Sequence, residues 1–141
     1  MLKKFFNKDK SKETNSESIG LAALLIHAAK IDENYSDIEK TIITKAIMDL
    51  NKIEASVAKE ILGQAEIKER ESNQIVEFTK EIKKKSMDFR FKVIEILWKI
   101  VYSDGANDNF ESNLIRRVCG LLYVSDKDSG AIKLKIINSN K

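Results

Sequence analysis

Shifted against itself by the distance from Asp32 to Asp104, the chain finds its own pattern. At that offset Glu39 meets Glu111, and apolar residues meet apolar residues on both sides of the acidic stretch. Leu21 falls on Val93, Leu25 on Leu97, Ile26 on Trp98 and Ala29 on Val101. Beyond it Ile38 falls on Phe110, Ile42 on Leu114, Ile43 on Ile115, Ile47 on Cys119 and Leu50 on Leu122. No gap is needed to hold this register, so the chain reads as a divergent internal duplication. Any fold it adopts must then be built twice from one unit.

That unit is helix, short acidic turn, helix. The first helix begins near Ser18 and runs through "LAALLIHAAK". The next starts at "SDIE", a capping box in which Ser36 accepts the Glu39 amide and Glu39 reaches back. Ile38, Ile42, Ile43, Ala46, Ile47 and Leu50 follow at helical spacing and are expected on one inward face. In the second copy "DNFE" repeats the device, with Asp108 as cap and Glu111 three residues on. Phe110, Leu114, Ile115, Val118, Cys119 and Leu122 form the matching face. A third helix closes each copy: about Glu54 to Arg70 in the first, and in the second a helix capped by Ser125 that runs through "AIKLKII". One further helix, "NQIVEFTKEIKKK", joins the copies, and its terminal lysines suit the negative end of its dipole. The segment "FRFKVIEILWKIVY" is apolar nearly all round, which places its helix at the centre.

The expected fold is all-α, a single-domain bundle of about seven helices. Composition agrees, because the chain has no proline and only five glycines, and strand-like alternation is absent. Residues 18–137 are assigned to the helical domain and 1–17 to a flexible basic segment. That segment and the apolar run after it loosely mimic a secretory leader. Asp9, Glu13 and Glu17 argue against one, and cleavage near Ala29 would remove a helix that has a copy later in the chain. The run is also short of the roughly 20 residues of a membrane span, so a cytoplasmic protein is expected.

The stretch "VYSDGANDNFESNLIRR", Val101 to Arg117, carries three carboxylates around a glycine. Gly105 lets the chain turn, Asp108 caps the next helix and Glu111 completes the box. Asp104 fits this account least well. It lies at a helix carboxyl end, where the dipole disfavours a negative charge by roughly 0.3–1 kcal/mol. It could recover that by accepting turn amides as an Asx motif. A cation shared with Asp108 and Glu111 would do so as well, and hard oxygen ligands point to Ca²⁺ or Mg²⁺. The spacing is not that of an EF-hand loop, and three carboxylates leave positions for water, so affinity would be weak. Both readings stay open.

At "LWKIVYSDGANDNFESNLIRRV" the pattern of apolar helix, Asp-Gly, Asp-x-x-Glu and a helix opening Leu-Ile-Arg-Arg resembles the tellurite-resistance protein B (TerB) family. "LAALLIHAAKIDENYSDIEKTII" resembles the corresponding amino-terminal half, and the likeness extends from about Ile19 to Ile136. The opening "MLKKFF" is similar to the start of small stand-alone members. This resemblance implies an all-helical, internally duplicated fold and divalent cations held by acidic turns. It also implies a loose link to tellurite resistance and other stress responses, and no enzymatic activity. The module resembles as well the amino-terminal region of a membrane-linked J-domain co-chaperone; without proline there is no His-Pro-Asp motif, so no J-domain function follows. The first copy departs from the family in having Glu33 in place of glycine and Ser36 in place of aspartate. Asp104, Asp108 and Glu111 are therefore the leading metal candidates, ahead of Asp32 and Glu39.

Other function classes find little support. His27, the lone histidine, has no second His or Cys nearby to make a zinc site. Cys119, the lone cysteine, falls on an apolar face as a packed thiol. No catalytic triad or phosphate-cradling loop can be assembled, so neither an enzyme nor a catalytic residue is expected. Leu2, Phe5 and Phe6 among Lys3, Lys4 and Lys8 could give weak contact with an anionic membrane. The run "KEIKKKSMDFRFK" could meet nucleic acid, but Phe89 and Phe91 continue the central helix's apolar pattern, and no nucleic acid is expected. A peripheral membrane or nucleic-acid adaptor working through the basic amino terminus and Lys83 to Lys85 is the alternative. The leading expectation is a non-catalytic module that binds divalent cations or a protein partner, the partner's identity and the oligomeric state left open.

Overall fold

The computed structural model describes residues 17–31, 35–72, 74–102 and 109–139, with side chains in the last segment from residue 113. Every regular element among them is helical: α1 (17–30), α2 (Asp37–Asn51), α3 (Ala55–Glu71), α4 (Val76–Thr79), a 3₁₀ turn (Ile82–Lys84), α5 (Met87–Val101), α6 (Asn109–Leu121) and α7 (Asp126–Ser139). The all-α architecture read from the sequence is the one found. The expected flexible segment, 1–17, lies outside the described residues except for its last member.

Side-chain caps fix three of the starts. Ser36 Oγ accepts the Glu39 N–H at 3.3 Å and opens α2. Ser125 does the same for the Asp128 amide at 3.1 Å ahead of α7. Ser86 caps α5 through the Phe89 amide at 3.2 Å, a cap the sequence reading did not single out. α6 ends in a Schellman arrangement: Val124 N–H reaches the Cys119 carbonyl at 2.9 Å, and Tyr123 between them sits at φ 57°. Arg90 of α5 adds a bond from Nη1 to the Leu122 carbonyl at 2.7 Å, tying that end down.

The centre is shared. α5 buries Val93, Ile94, Ile96 to Trp98, Ile100 and Val101, and packs against α2, α6 and α7. Yet α1 is the more enclosed helix, because every residue from Gly20 to Ile26 is buried, two full turns with no exposed side. Ala22, Ala23, Ala28 and Ala29 let its neighbours come close. A Cβ on Gly20 would stand 3.5 Å from the Phe78 carbonyl of α4. α5 is central as expected, and α1 shares that place with it. Trp98 Nε1 donates to Ser129 Oγ at 3.2 Å and fastens α5 to α7, with Cys119 buried alongside.

Two expectations need correction. Ile38 is not inward: it is 67% exposed, and Glu39 takes the buried position beside it. The inward stripe of α2 is Glu39, Ile43, Ala46 and Ile47, rotated by a fraction of a turn from the apolar pattern. The joining helix is also not continuous. Ile75, Phe78 and Ile82 all turn to the core, and the chain achieves this with one α turn and one 3₁₀ turn. Thr79 Oγ1 bonds back to the Val76 carbonyl at 3.1 Å, competing with the helical ladder where it stops. Burial agrees at some positions related by the offset, such as Leu21 and Val93, Leu25 and Leu97, Ile43 and Ile115, and Ile47 and Cys119, and differs at others: Ile42 and Leu50 are half-buried where Leu114 and Leu122 are buried.

Candidate functional site

The first acidic turn lies between α1 and α2, and the residues at its two edges are both anchored to α3. Lys30, at the end of α1, donates from Nζ to Glu69 Oε2 at 2.9 Å. Tyr35, just before α2, donates its hydroxyl to Glu66 Oε1 at 2.9 Å. His27, one turn before Lys30, places Nδ1 3.1 Å from Glu69 Oε1. Lys40 and Lys30 also lie over the Tyr35 ring, 4.9 and 5.9 Å from its centroid. The turn is therefore bracketed by a polar cluster that pins its two edges to one neighbouring helix.

The electrostatics of the cluster are consistent with a fixed scaffold. Burial works to raise the Glu69 pKa, but hydrogen bonds from Lys30 and His27, and their charges, outweigh it and hold the carboxyl below its usual range. An ionised carboxylate only accepts, so His27 presents Nδ1–H to it. Burial, then the hydrogen bond and charge of Glu66, then the charge of Glu69, push the Tyr35 phenol well above its ordinary value. It stays protonated and donates. Burial likewise raises the Cys119 thiol, against a lowering hydrogen bond to Ser129 and with a further raising effect from Asp126. A buried thiol of that kind is a poor nucleophile.

Of the sequence-derived metal candidates, Glu39 is described, and it is only 2% exposed at the first turn of α2. Glu111 lies in α6, but its side chain is outside the described residues, as are Asp32, Asp104 and Asp108. Among the described residues, no three His, Cys, Asp or Glu side chains gather as a metal group would. Next to the second turn, Tyr102 stacks on Trp98, ring centroids 6.1 Å apart, while Lys133 of α7 lies 5.0 Å from the Trp98 centroid. The basic alternative fares differently along its length: Lys83 and Lys84 are exposed, whereas Lys85 is bonded to Glu17 at 2.6 Å and lies over Phe89. Phe89 and Phe91 pack against the core.

Glu66 and Glu69 were missed from sequence, where a charged helix end reads as solvated. The signal was present. Ala58, Ile61 and Ala65 mark the inward face of α3, and continuing that period reaches Glu69, a carboxylate on the core side.

The described helices make an all-α bundle, and that is the class of protein the fold defines. Residues 18–134 match the family described as Tellurite resistance protein TerB, so the chain belongs to the TerB family. Neither the curated proteins nor the solved structures gave a significant match. Among the described residues no helix is long and apolar enough to cross a membrane.

Proposed function

We propose that this TerB-family chain is a non-catalytic module that binds a divalent cation, Ca²⁺ or Mg²⁺, through its acidic turns. Asp104, Asp108 and Glu111 would form the stronger half-site, Asp32 and Glu39 the weaker. Occupancy would be passed to a protein partner, in a stress response of the tellurite-resistance kind. The observation that carries this reading is the tie of Lys30 and Tyr35, on either side of Asp32, to α3. A segment whose edges are already fixed loses less entropy on binding an ion.

The test is a titration with Ca²⁺ and with Mg²⁺, followed by amide shifts and by melting. With calcium at ten times its Kd, the native chain should gain about 1.4 kcal/mol. An Asp104→Asn variant should gain far less. Equal shifts in both proteins, or none in either, would return these residues to the role of helix caps.

A further inference from the structure

Along α2, Ile38, Ile42, Ala46 and Leu50 recur every fourth residue and form a ridge beside the core face. Ile42 and Leu50 are only half-buried and Ile38 is exposed. The ridge borders an open groove of about 500 Å³ between α2 and α5, floored by Ile42, Ala46, Leu50 and Ile96. Lys45, Lys92 and Lys99 stand on its rim with Asp49 and Glu95. Glu95 is engaged by Lys99 at 3.7 Å, while Lys45 and Lys92 enter no ion pair among the described residues. The rim thus offers two uncommitted cations against one carboxylate.

We propose that this groove is the docking site for an amphipathic helix of a partner protein, one with acidic residues beside its apolar stripe. The groove follows α2 from Ile42 to Leu50, about 12 Å, or two turns of a helix laid alongside it. The charge fits as well, since acidic flanks would meet Lys45 on one wall and Lys92 on the other. A small amphiphile would want a closed pocket around most of its surface, and this groove is open, with Ile42 and Leu50 of its floor half-exposed. The proposal gives the protein-interaction part of the proposed function a place, and it does not depend on cation binding.

The experiment uses the full chain in the presence of a chelator, so that its failure and that of the cation reading are separable. Two synthetic amphipathic helices of about 18 residues, one with glutamates flanking a leucine stripe and its twin with lysines there, are titrated while amide shifts are recorded. The acidic peptide should move Ile42, Ala46, Leu50, Lys92, Ile96 and Lys99. A Lys45→Glu/Lys92→Glu chain, altered only on exposed rims, should bind it about tenfold more weakly and gain affinity for the basic twin. Equal binding of both peptides, no binding, or shifts centred on Val76 and Tyr123 would overturn the proposal. Self-association of the chain alone through the same residues would assign the groove to a second copy. Shifts there with dodecanoate but not with the acidic peptide would make it a lipid-sized ligand site.

Discussion

Tyr123 occupies a left-handed backbone position, φ 57°, that glycine fills at many helix ends, and its side chain is 71% exposed. The fold gains little apolar burial from it and bears the steric cost of a Cβ there. Tyr123→Gly is expected to stabilise the protein by about 1 kcal/mol in urea unfolding. A loss would mean that the ring holds something in place. Glu69 acts in the opposite direction, joining His27 and Lys30 to α3. Its folded pKa is depressed, so its contribution is fully present above the unfolded carboxylate value and disappears as pH falls through the folded one. Glu69→Gln should therefore cost about 1 kcal/mol at pH 7. The gap between the two unfolding curves should close as acid protonates the native carboxylate; a gap constant from pH 7 to pH 2 would rule out an ionic contribution.

Among the elements, the boundaries set by side-chain caps were the most legible. Ser36 and Ser125 bond to amides three residues on, a local chemistry that needs no knowledge of the rest of the fold. The helix joining the copies was less legible: Ile75, Phe78 and Ile82 keep the spacing of one continuous helical face, so the apolar pattern carries no sign of the break. Ile38 failed for a related reason. Apolar spacing gives a helix an inward side only to within a fraction of a turn, and packing chose Glu39 over Ile38. The acidic stretches stand out in the sequence, with Asp32, Asp104 and Asp108 outside the described residues, while the α3 carboxylates bonded to Lys30 and Tyr35 were hidden by their charge. The duplication remains a proposal, and it makes a demand on energetics. Ile43 and Ile115 are equivalent under the offset and both fully buried. Truncating each to alanine should cost about 2–5 kcal/mol, with the two values within about 1 kcal/mol of each other. A cost at one site less than half that at the other would speak against equivalent environments.

Across the whole molecule, the buried residues form one continuous core with α1 and α5 threaded through it. A defect in α1 should consequently be felt everywhere at once. Leu25→Ala, at a fully buried position, is expected to cost about 2–5 kcal/mol and to keep a single cooperative transition. Circular dichroism should lose helix in step with the loss of amide protection in α3 and α7; two separated transitions would mean that the copies fold independently. The stack of Tyr102 on Trp98 has a further, practical consequence. Trp98 is the only indole in the chain, and its stacking partner is the last described residue before the second acidic turn. A displacement of Tyr102 is felt at the face of the indole, where emission colour and quenching respond to ring contacts and nearby charge. The native protein thus carries its own optical reporter close in sequence to Asp104 and Asp108, the proposed ion ligands, with no label to attach.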